Sequence, residues 1–224
     1  LVGRVLRELT ADWSYDAVLP YFKRSESWED GETIYRGGNG PIHVRRTKDL
    51  DPLYQAYIEA GTRAGHPYSE DYNGAQQHGF GWAQWTIHRG LRESTARAFL
   101  HPAMKRPNLT VLSNALTARV AIENGRAIGV DYVRAGQLIR AHASREVLLA
   151  AGAYNSPQLL MLSGIGPADE LRAHGIEPLV DLPGVGKHLE EHASVPVIMA
   201  ATRPTFLSEL RVDRAAWWTL RWVL

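Results

Sequence analysis

The stretch REVLLAAGAYNSPQLLMLSGIG, from Arg145 to Gly166, decides the fold that the sequence predicts. Its apolar run Val147–Ala151 is short and ends at a glycine, which favours a strand buried on both faces. Ser156 and Pro157 favour a helix start, because the hydroxyl caps free N–H groups and the proline needs none. The mostly apolar residues 158–162 then predict a buried helix rather than a surface one.

Gly152 and Ala153 leave almost no side chain between this strand and this helix, so a ligand or another backbone can approach closely. A buried strand, a small-residue turn and a capped helix together form dinucleotide-binding crevices, where helix N-termini favour phosphate. The same pieces also form α/β cores without a ligand. From the residues alone, that simpler interpretation is favoured.

Composition limits the classes of function. The 224-residue chain is 45% hydrophobic, enough to bury a core in one large or two modest domains. Its 25 Lys and Arg nearly balance 24 Asp and Glu, which argues against a nucleic-acid partner. The absence of cysteine excludes disulfides and thiolate chemistry. No signal peptide or membrane-spanning run is found, and Trp217, Trp218 and Trp222 are expected to pack rather than to touch a membrane.

Local signals predict the elements of the first half. Helices are expected from Ser14 to Arg24, from Asp51 to Gly65, and after Ser94 up to Pro102. Strands are expected at Pro41–Val44 and, with one exposed face, at Phe80–His88.

The second half is richer in strands, and Asn124-Gly125 is its strongest hairpin signal. The expected strands are Val111–Leu112, Leu116–Ile122, Ala127–Val133, Leu138–Ala143, Ile176–Val180 and Val195–Ala201. Helices are expected from Pro167 to Gly175 and, with an amphipathic pattern, from Leu207 to Leu224.

Several catalytic motifs are incomplete. No G-x-S-x-G and no G-x-G-x-x-G occurs, and the phosphate-loop-like residues 182–187 have Asp181 where the first glycine belongs. The segment His188-Leu189-Glu190-Glu191-His192 does match the H-x-x-E-H pattern of some zinc hydrolases. On a helix its histidines would lie one turn apart with Glu191 as base, but downstream third ligands are scarce. A zinc hydrolase using His188, Glu191 and His192 is therefore kept as the minor alternative.

A family resemblance adds to this interpretation. Residues 152–166 closely resemble the second signature of the glucose-methanol-choline (GMC) family of FAD-dependent oxidoreductases, and the choline dehydrogenase-like branch is the most similar. Further matching stretches are Trp13–Asp16, Val18–Phe22, Gly38–Pro41, Asp71–Gly74, Ser94–Arg97, Arg106–Leu109 and Leu182–Gly186.

The resemblance implies an α+β (mixed α/β) fold, in which part of an FAD-binding domain is interleaved with part of a substrate domain. The substrate domain would be built on an antiparallel sheet with helices. Residues 1–105 would belong to the substrate domain, 106–188 to the FAD-binding domain, and 189–224 again to the substrate domain.

The resemblance also implies roles for particular residues. Thr117 would contact the adenine side of FAD through its backbone, and Ala151 and Gly152 would lie against the ADP half. Trp82 and Gln84 are weaker candidates for the substrate chamber. The zinc-like segment aligns with the family's N-L-x-D-H, and His188 and Glu191 depart from it, which puts a local cofactor contact in doubt.

The implied reaction is oxidation of a primary alcohol, choline-like or other, by hydride transfer to FAD. The family's glycine-rich phosphate loop and catalytic histidine are absent from this sequence, so no catalytic residue is assigned. We expect an internal fragment that alone binds FAD poorly and is inactive; a non-catalytic remnant is the remaining alternative. Electron acceptor, oligomeric state and location stay open, with a cytoplasmic or membrane-associated protein favoured over a secreted one.

Overall fold

A computed structural model describes residues 13–48, 52–198, 200, 202 and 212–223. The chain divides into two units. The first unit contains the described residues up to Thr110 and the C-terminal helix, and the second unit is Val111–Ile198. Helices and strands mix in one chain, which confirms the α+β fold class.

Two helices of the first unit confirm their local signals. Helix α1, Tyr15–Ser25, begins where the Ser14 hydroxyl accepts a hydrogen bond from the N–H of Ala17 at 3.3 Å. Helix α2 spans Pro52–Arg63, and Gly65 follows it with a φ of 92°. A left-handed backbone at that position is easiest for glycine, so the helix ends there.

The strands of the first unit are short. Strand β1, Glu26–Trp28, lies parallel to β2, Ile42–Arg46, and β2 pairs antiparallel with β3, Gln84–Trp85. Strands β4, Ile87–His88, and β5, Leu91–Arg92, form a separate hairpin. The strand at Pro41–Val44 is thus confirmed. The single strand expected over Phe80–His88 is wrong, because the chain changes pairing partner at Thr86.

The third helix begins as expected but does not end as expected. The Ser94 hydroxyl accepts from the N–H of Arg97 at 3.3 Å, and a π-helical turn at Ala96–Leu100 continues into α3, His101–Ala103. Pro102 therefore lies inside the helical segment. The backbone N–H groups of His101 and Met104 donate to the carbonyls of Ala96 and Leu100, so helical bonding continues past the proline, which has no N–H of its own.

A three-stranded antiparallel sheet organises the second unit. Its strands are β6, Leu116–Glu123, β7, Arg126–Arg134, and β8, Gln137–His142, in that order. Asn124 and Gly125 have φ values of 50° and 72°, as the predicted hairpin turn requires. The three strands expected here are confirmed. Val111–Leu112 was expected as a strand and is not one.

The structure of residues 145–166 differs from the strand and helix predicted there. Residues 146–150 form no strand, and Leu148 is 79% exposed. No described strand pairs with this run, and an apolar sequence alone cannot supply the partner that a strand needs. Helix α4, Gly152–Leu162, begins before Ser156 and includes Pro157, although the Ser156 hydroxyl accepts from Ala151 N–H at 3.0 Å.

Helix α4 is also less buried than predicted. Leu159 is its buried residue, whereas Tyr154 is 74% and Leu162 is 47% exposed. Three further elements lie in this unit: β9, Ile165–Gly166, pairs parallel with β10, Val180–Asp181, and helix α5 spans Ala168–Ala173. The helix after Pro167 is confirmed, but of the strand expected at Ile176–Val180 only Val180 belongs to the observed strand β10.

The C-terminal part is partly described. Residues 195–198 form no strand, contrary to the prediction for Val195–Ala201. Helix α6, Val212–Val223, confirms the described part of the helix expected at Leu207–Leu224, and the rest of that prediction lies outside the described residues. Within the described ranges, helices that combine the length and apolar character needed to cross a bilayer are absent.

A buried carboxylate joins the three strands of the β6–β7–β8 sheet in the second unit. Asp131 on β7 is 3% exposed and accepts hydrogen bonds from Arg140 on β8 at 2.6 Å and Arg119 on β6 at 2.8 Å. The hydrogen bonds from Arg140 and Arg119 hold the pKa of Asp131 well below its usual range. The carboxylate therefore stabilises the sheet in its charged form.

We predict that Asp131→Asn lowers the melting temperature at neutral pH, because two arginines lose their shared anion. The folded pKa of Asp131 is lowered, so its contribution is complete above the unfolded pKa and is lost as the pH falls through the folded one. The difference in melting temperature between the variant and the wild type should be largest above about pH 5 and should shrink below about pH 4. Thermal unfolding followed by circular dichroism across this range measures it.

The matched control is Glu123→Gln, which removes an exposed carboxylate 3.6 Å from the same Arg140. An exposed pair contributes little, so this variant should melt near the wild type at every pH. An Asp131→Asn effect that persists unchanged at pH 3 would contradict the assignment to charge.

Candidate functional site

Two residues that the resemblance assigned to the cofactor line one cavity. Thr117 is half-buried on β6, and Ala151 precedes α4. They lie 34 positions apart in the sequence (151 − 117), yet both border a cavity of about 520 Å³ in the second unit. The remaining wall comes from β7, β8 and the run that leads to α4. Its residues are Gly129, Val130, Ala141, His142, Ala143, Glu146, Val147, Leu148, Leu149, Ala150 and Leu159.

Small residues set the shape of this wall. Gly129 faces His142 across the β7–β8 pair, and a Cβ added at Gly129 would lie 2.1 Å from the carbonyl oxygen of Ala141. Only glycine fits there without moving a backbone. The wall is otherwise formed largely by alanine, valine and leucine, and Thr117, His142 and Glu146 add polar groups. Such a lining suits a ligand with an apolar ring face and a few polar edges.

Gly152 follows directly at the start of α4. Its φ is 88°, a left-handed value, and a Cβ there would meet nothing within 4 Å. The left-handed backbone favours glycine at this turn, and the open space leaves the peptide accessible. Ala153, the next residue, lines a second cavity of about 750 Å³ together with Met161, Lys187 and His188.

The zinc-like segment is extended and exposed. Residues 187–198 form neither helix nor strand, so His188 and His192 are not one helical turn apart. His188 has a φ of 57°, and Glu191 accepts a hydrogen bond from the backbone N–H of His192 at 2.8 Å. Within the described residues, the side chains whose potential metal-ligand atoms lie close together are instead those of His43, His88 and Glu93. The zinc-hydrolase alternative is unsupported.

The two substrate candidates, Trp82 and Gln84, lie half-buried in the first unit. Trp82 packs near Tyr54, with ring centroids 6.5 Å apart. The Gln84 amide is already bonded on both sides: its oxygen accepts from Arg36 at 2.9 Å, and its nitrogen donates to Asp71 at 2.8 Å. A side chain held in this way has a structural role whether or not a substrate touches it.

Arg36, which no sequence motif singles out, is the centre of that network. It is 2% exposed and donates to Glu26 and Asp71, each at 2.6 Å. Its guanidinium carbon lies 4.0 Å from the Trp28 ring centroid. Burial lowers the pKa of Arg36, but hydrogen bonds and charges from Glu26 and Asp71 outweigh it, and the pKa is raised.

The fold and the cavity define a mixed α+β protein with a small-residue wall between an antiparallel sheet and a helix N-terminus, a class that includes nucleotide-cofactor enzymes. The comparison with protein families then gives the particular assignment. The chain belongs to the GMC oxidoreductase family, whose model matches residues 7–194.

Individual relatives agree with this family. Mitochondrial choline dehydrogenase of Mus musculus is 50% identical over 201 residues, covering 90% of this chain and 34% of that protein. Pyridoxine 4-oxidase from Mesorbium loti superposes with a TM-score of 0.76 at 32% identity over 81% of this chain and 36% of its own. An FAD-dependent oxidoreductase from Chaetomium thermophilum superposes with a TM-score of 0.76 at 27% identity, covering 82% of this chain and 34% of its own. The chain spans about a third of each relative's length.

We predict that Arg36→Met leaves the carboxylates of Glu26 and Asp71 without their buried cation. Removing one partner of a buried ion pair costs about 3–5 kcal/mol, so the free energy of unfolding should fall by this order. Urea denaturation followed by circular dichroism measures the loss.

Arg46→Met is the matched control, because Arg46 also lies over the Trp28 ring, at 4.8 Å, but pairs with the more exposed Asp30. This variant should lose less than about 1 kcal/mol. Equal losses for the two variants would show that stacking on Trp28, rather than ion pairing, makes Arg36 important.

Proposed function

We propose that this chain contributes to an FAD-dependent oxidoreductase that oxidises a primary alcohol of the choline type. The carrying observation is the cavity that Thr117 and Ala151 share in a chain of the GMC oxidoreductase family. The relatives named choline dehydrogenase support the substrate class. The solved relative named an FAD-dependent oxidoreductase supports the cofactor.

The residues of the cavity fit a dinucleotide cofactor. A volume of about 520 Å³ suits part of such a ligand, and the strand backbone around Thr117 supplies polar groups beside apolar walls. In this proposal Thr117 meets the adenine side through its backbone. Ala151 and Gly152 lie against the ADP half, where a larger side chain would occupy the ligand's space.

FAD, when bound, accepts the hydride that leaves the alcohol carbon. The residues of this chain bind and orient that cofactor and exclude water from one side of it. Trp82 and Gln84 are proposed to face the substrate. The proposed domain division remains 1–105 and 189–224 for the substrate domain and 106–188 for the FAD-binding domain.

We predict that Ala151→Leu weakens FAD binding at least tenfold in the full-length protein that carries this chain. The added atoms overfill a close-packed contact, which costs about 1–3 kcal/mol, and about 1.4 kcal/mol corresponds to tenfold in affinity. Thr117→Val should keep FAD, because the proposed contact uses the backbone. Flavin absorbance after gel filtration, with cofactor titration, measures retention.

Ala173→Leu, at the end of α5 and outside the cavity lining, is the size-matched control and should bind FAD normally. Normal FAD binding by Ala151→Leu would remove Ala151 from the cofactor site. Choline-dependent reduction of an artificial electron acceptor tests the substrate separately: flavin without turnover of choline or other primary alcohols would overturn the reaction but not the cofactor.

A further inference from the structure

Three potential metal ligands, two from one hairpin and one from a distant strand, meet in the first unit. His43 lies on β2, His88 on β4, and Glu93 directly after β5. The backbone N–H of Glu93 donates to the carbonyl of Thr86 at 2.8 Å, which fixes the end of the β4–β5 hairpin. Strands, not a loop, therefore position both histidines.

The ligand atoms of the three side chains are close together. One atom from each residue lies within 4.8 Å of the others. Nδ1 of His43 is 3.3 Å from Oε2 of Glu93. The two imidazole rings stack, with centroids 3.7 Å apart and an interplanar angle of 28°.

Buried polar atoms without partners give a second, independent observation. The Glu93 side chain is 6% exposed, and its Oε2 has no hydrogen-bond partner; the same holds for the buried Nδ1 of His43. A buried carboxylate oxygen is costly unless it is hydrogen-bonded, paired with a charge or bound to a metal. These two atoms are also the pair that lies 3.3 Å apart, so the two unsatisfied groups are neighbours.

We propose that His43, His88 and Glu93 bind a divalent metal ion of the zinc class. Two imidazole nitrogens and one carboxylate oxygen form a common three-ligand zinc set, with bonds of about 2.0–2.2 Å and one open position. Tetrahedral bonds of that length place ligand atoms about 3.4 Å apart, so the widest separation must shorten. His43, whose side chain is 40% exposed, has the freedom to turn. The bound ion would join β2 to the β4–β5 hairpin.

This site is independent of the proposed FAD cavity, which lies in the second unit. Two metal-free arrangements compete with it. In the first, a protonated His43 pairs with Glu93. In the second, Arg45 supplies the positive charge: it lies on the same strand face as His43, and its buried Nε is also unpartnered. Neither arrangement requires His88, whereas a metal ion does.

The test uses the full chain without a polyhistidine tag, stripped of metal by a chelator and titrated with Zn²⁺ by calorimetry. We expect one equivalent to bind, and His88→Ala and Glu93→Gln each to weaken binding at least tenfold. Glu93→Gln keeps the size of the side chain, so circular dichroism should show the wild-type fold. Co²⁺ in place of Zn²⁺ should give visible d–d absorption in the wild type and lose it in both variants.

His66 and His78 provide the matched control, because their rings also lie close, 6.4 Å apart, in the same unit. The His66→Ala, His78→Ala double variant should bind Zn²⁺ as the wild type does. The proposal is overturned if the metal-free chain binds no stoichiometric Zn²⁺, or if Zn²⁺ binding survives in a folded Glu93→Gln variant. It is equally overturned if the control weakens binding as much as His88→Ala.

Discussion

The hydroxyl of Ser163 connects helix α4 to strand β6 in the second unit. Ser163 is 6% exposed, accepts a hydrogen bond from the N–H of Val120 at 2.8 Å and donates to the carbonyl of Leu159 at 2.5 Å. It thereby attaches the C-terminal end of α4 to β6 at a buried position, where polar groups need hydrogen-bond partners. Leu159 of the same helix and Ala151, which precedes the helix, both border the cavity that Thr117 lines. The proposed cofactor wall depends on a hydroxyl outside it.

Local signals predicted the elements that local chemistry can specify. The Ser14 cap and the Asn124-Gly125 turn act within a few residues, and both were correct. The run Val147–Ala151 was predicted as a buried strand, but burial and pairing come from other segments, and no described strand provides them. The predicted end of the third helix was also wrong, because the helical segment continues past Pro102 to Ala103. The sequence therefore predicted the fold class correctly but not which apolar segments are buried.

The sites divide in the same way. A family resemblance named Thr117 and Ala151, and the structure brings them to one cavity, although their cofactor role stays a proposal. Neither Arg36 nor the group of His43, His88 and Glu93 was found from the sequence. Histidines 45 positions apart (88 − 43) have no recognisable spacing, so only the contact of β2 with the β4–β5 hairpin reveals them.

Two sets of carboxylates in the first unit, one half-buried and one buried, differ in how their charge is compensated. Glu26 and Asp71 share the guanidinium of Arg36, which donates to both at 2.6 Å and leaves no charge uncompensated. Glu93 is at least as buried, yet its Oε2 faces Nδ1 of His43 at 3.3 Å without a hydrogen bond. A protein rarely retains a buried anion in that condition. The same physical requirement that explains Arg36 therefore calls for a cation beside Glu93, and the two imidazoles there are suited to hold one.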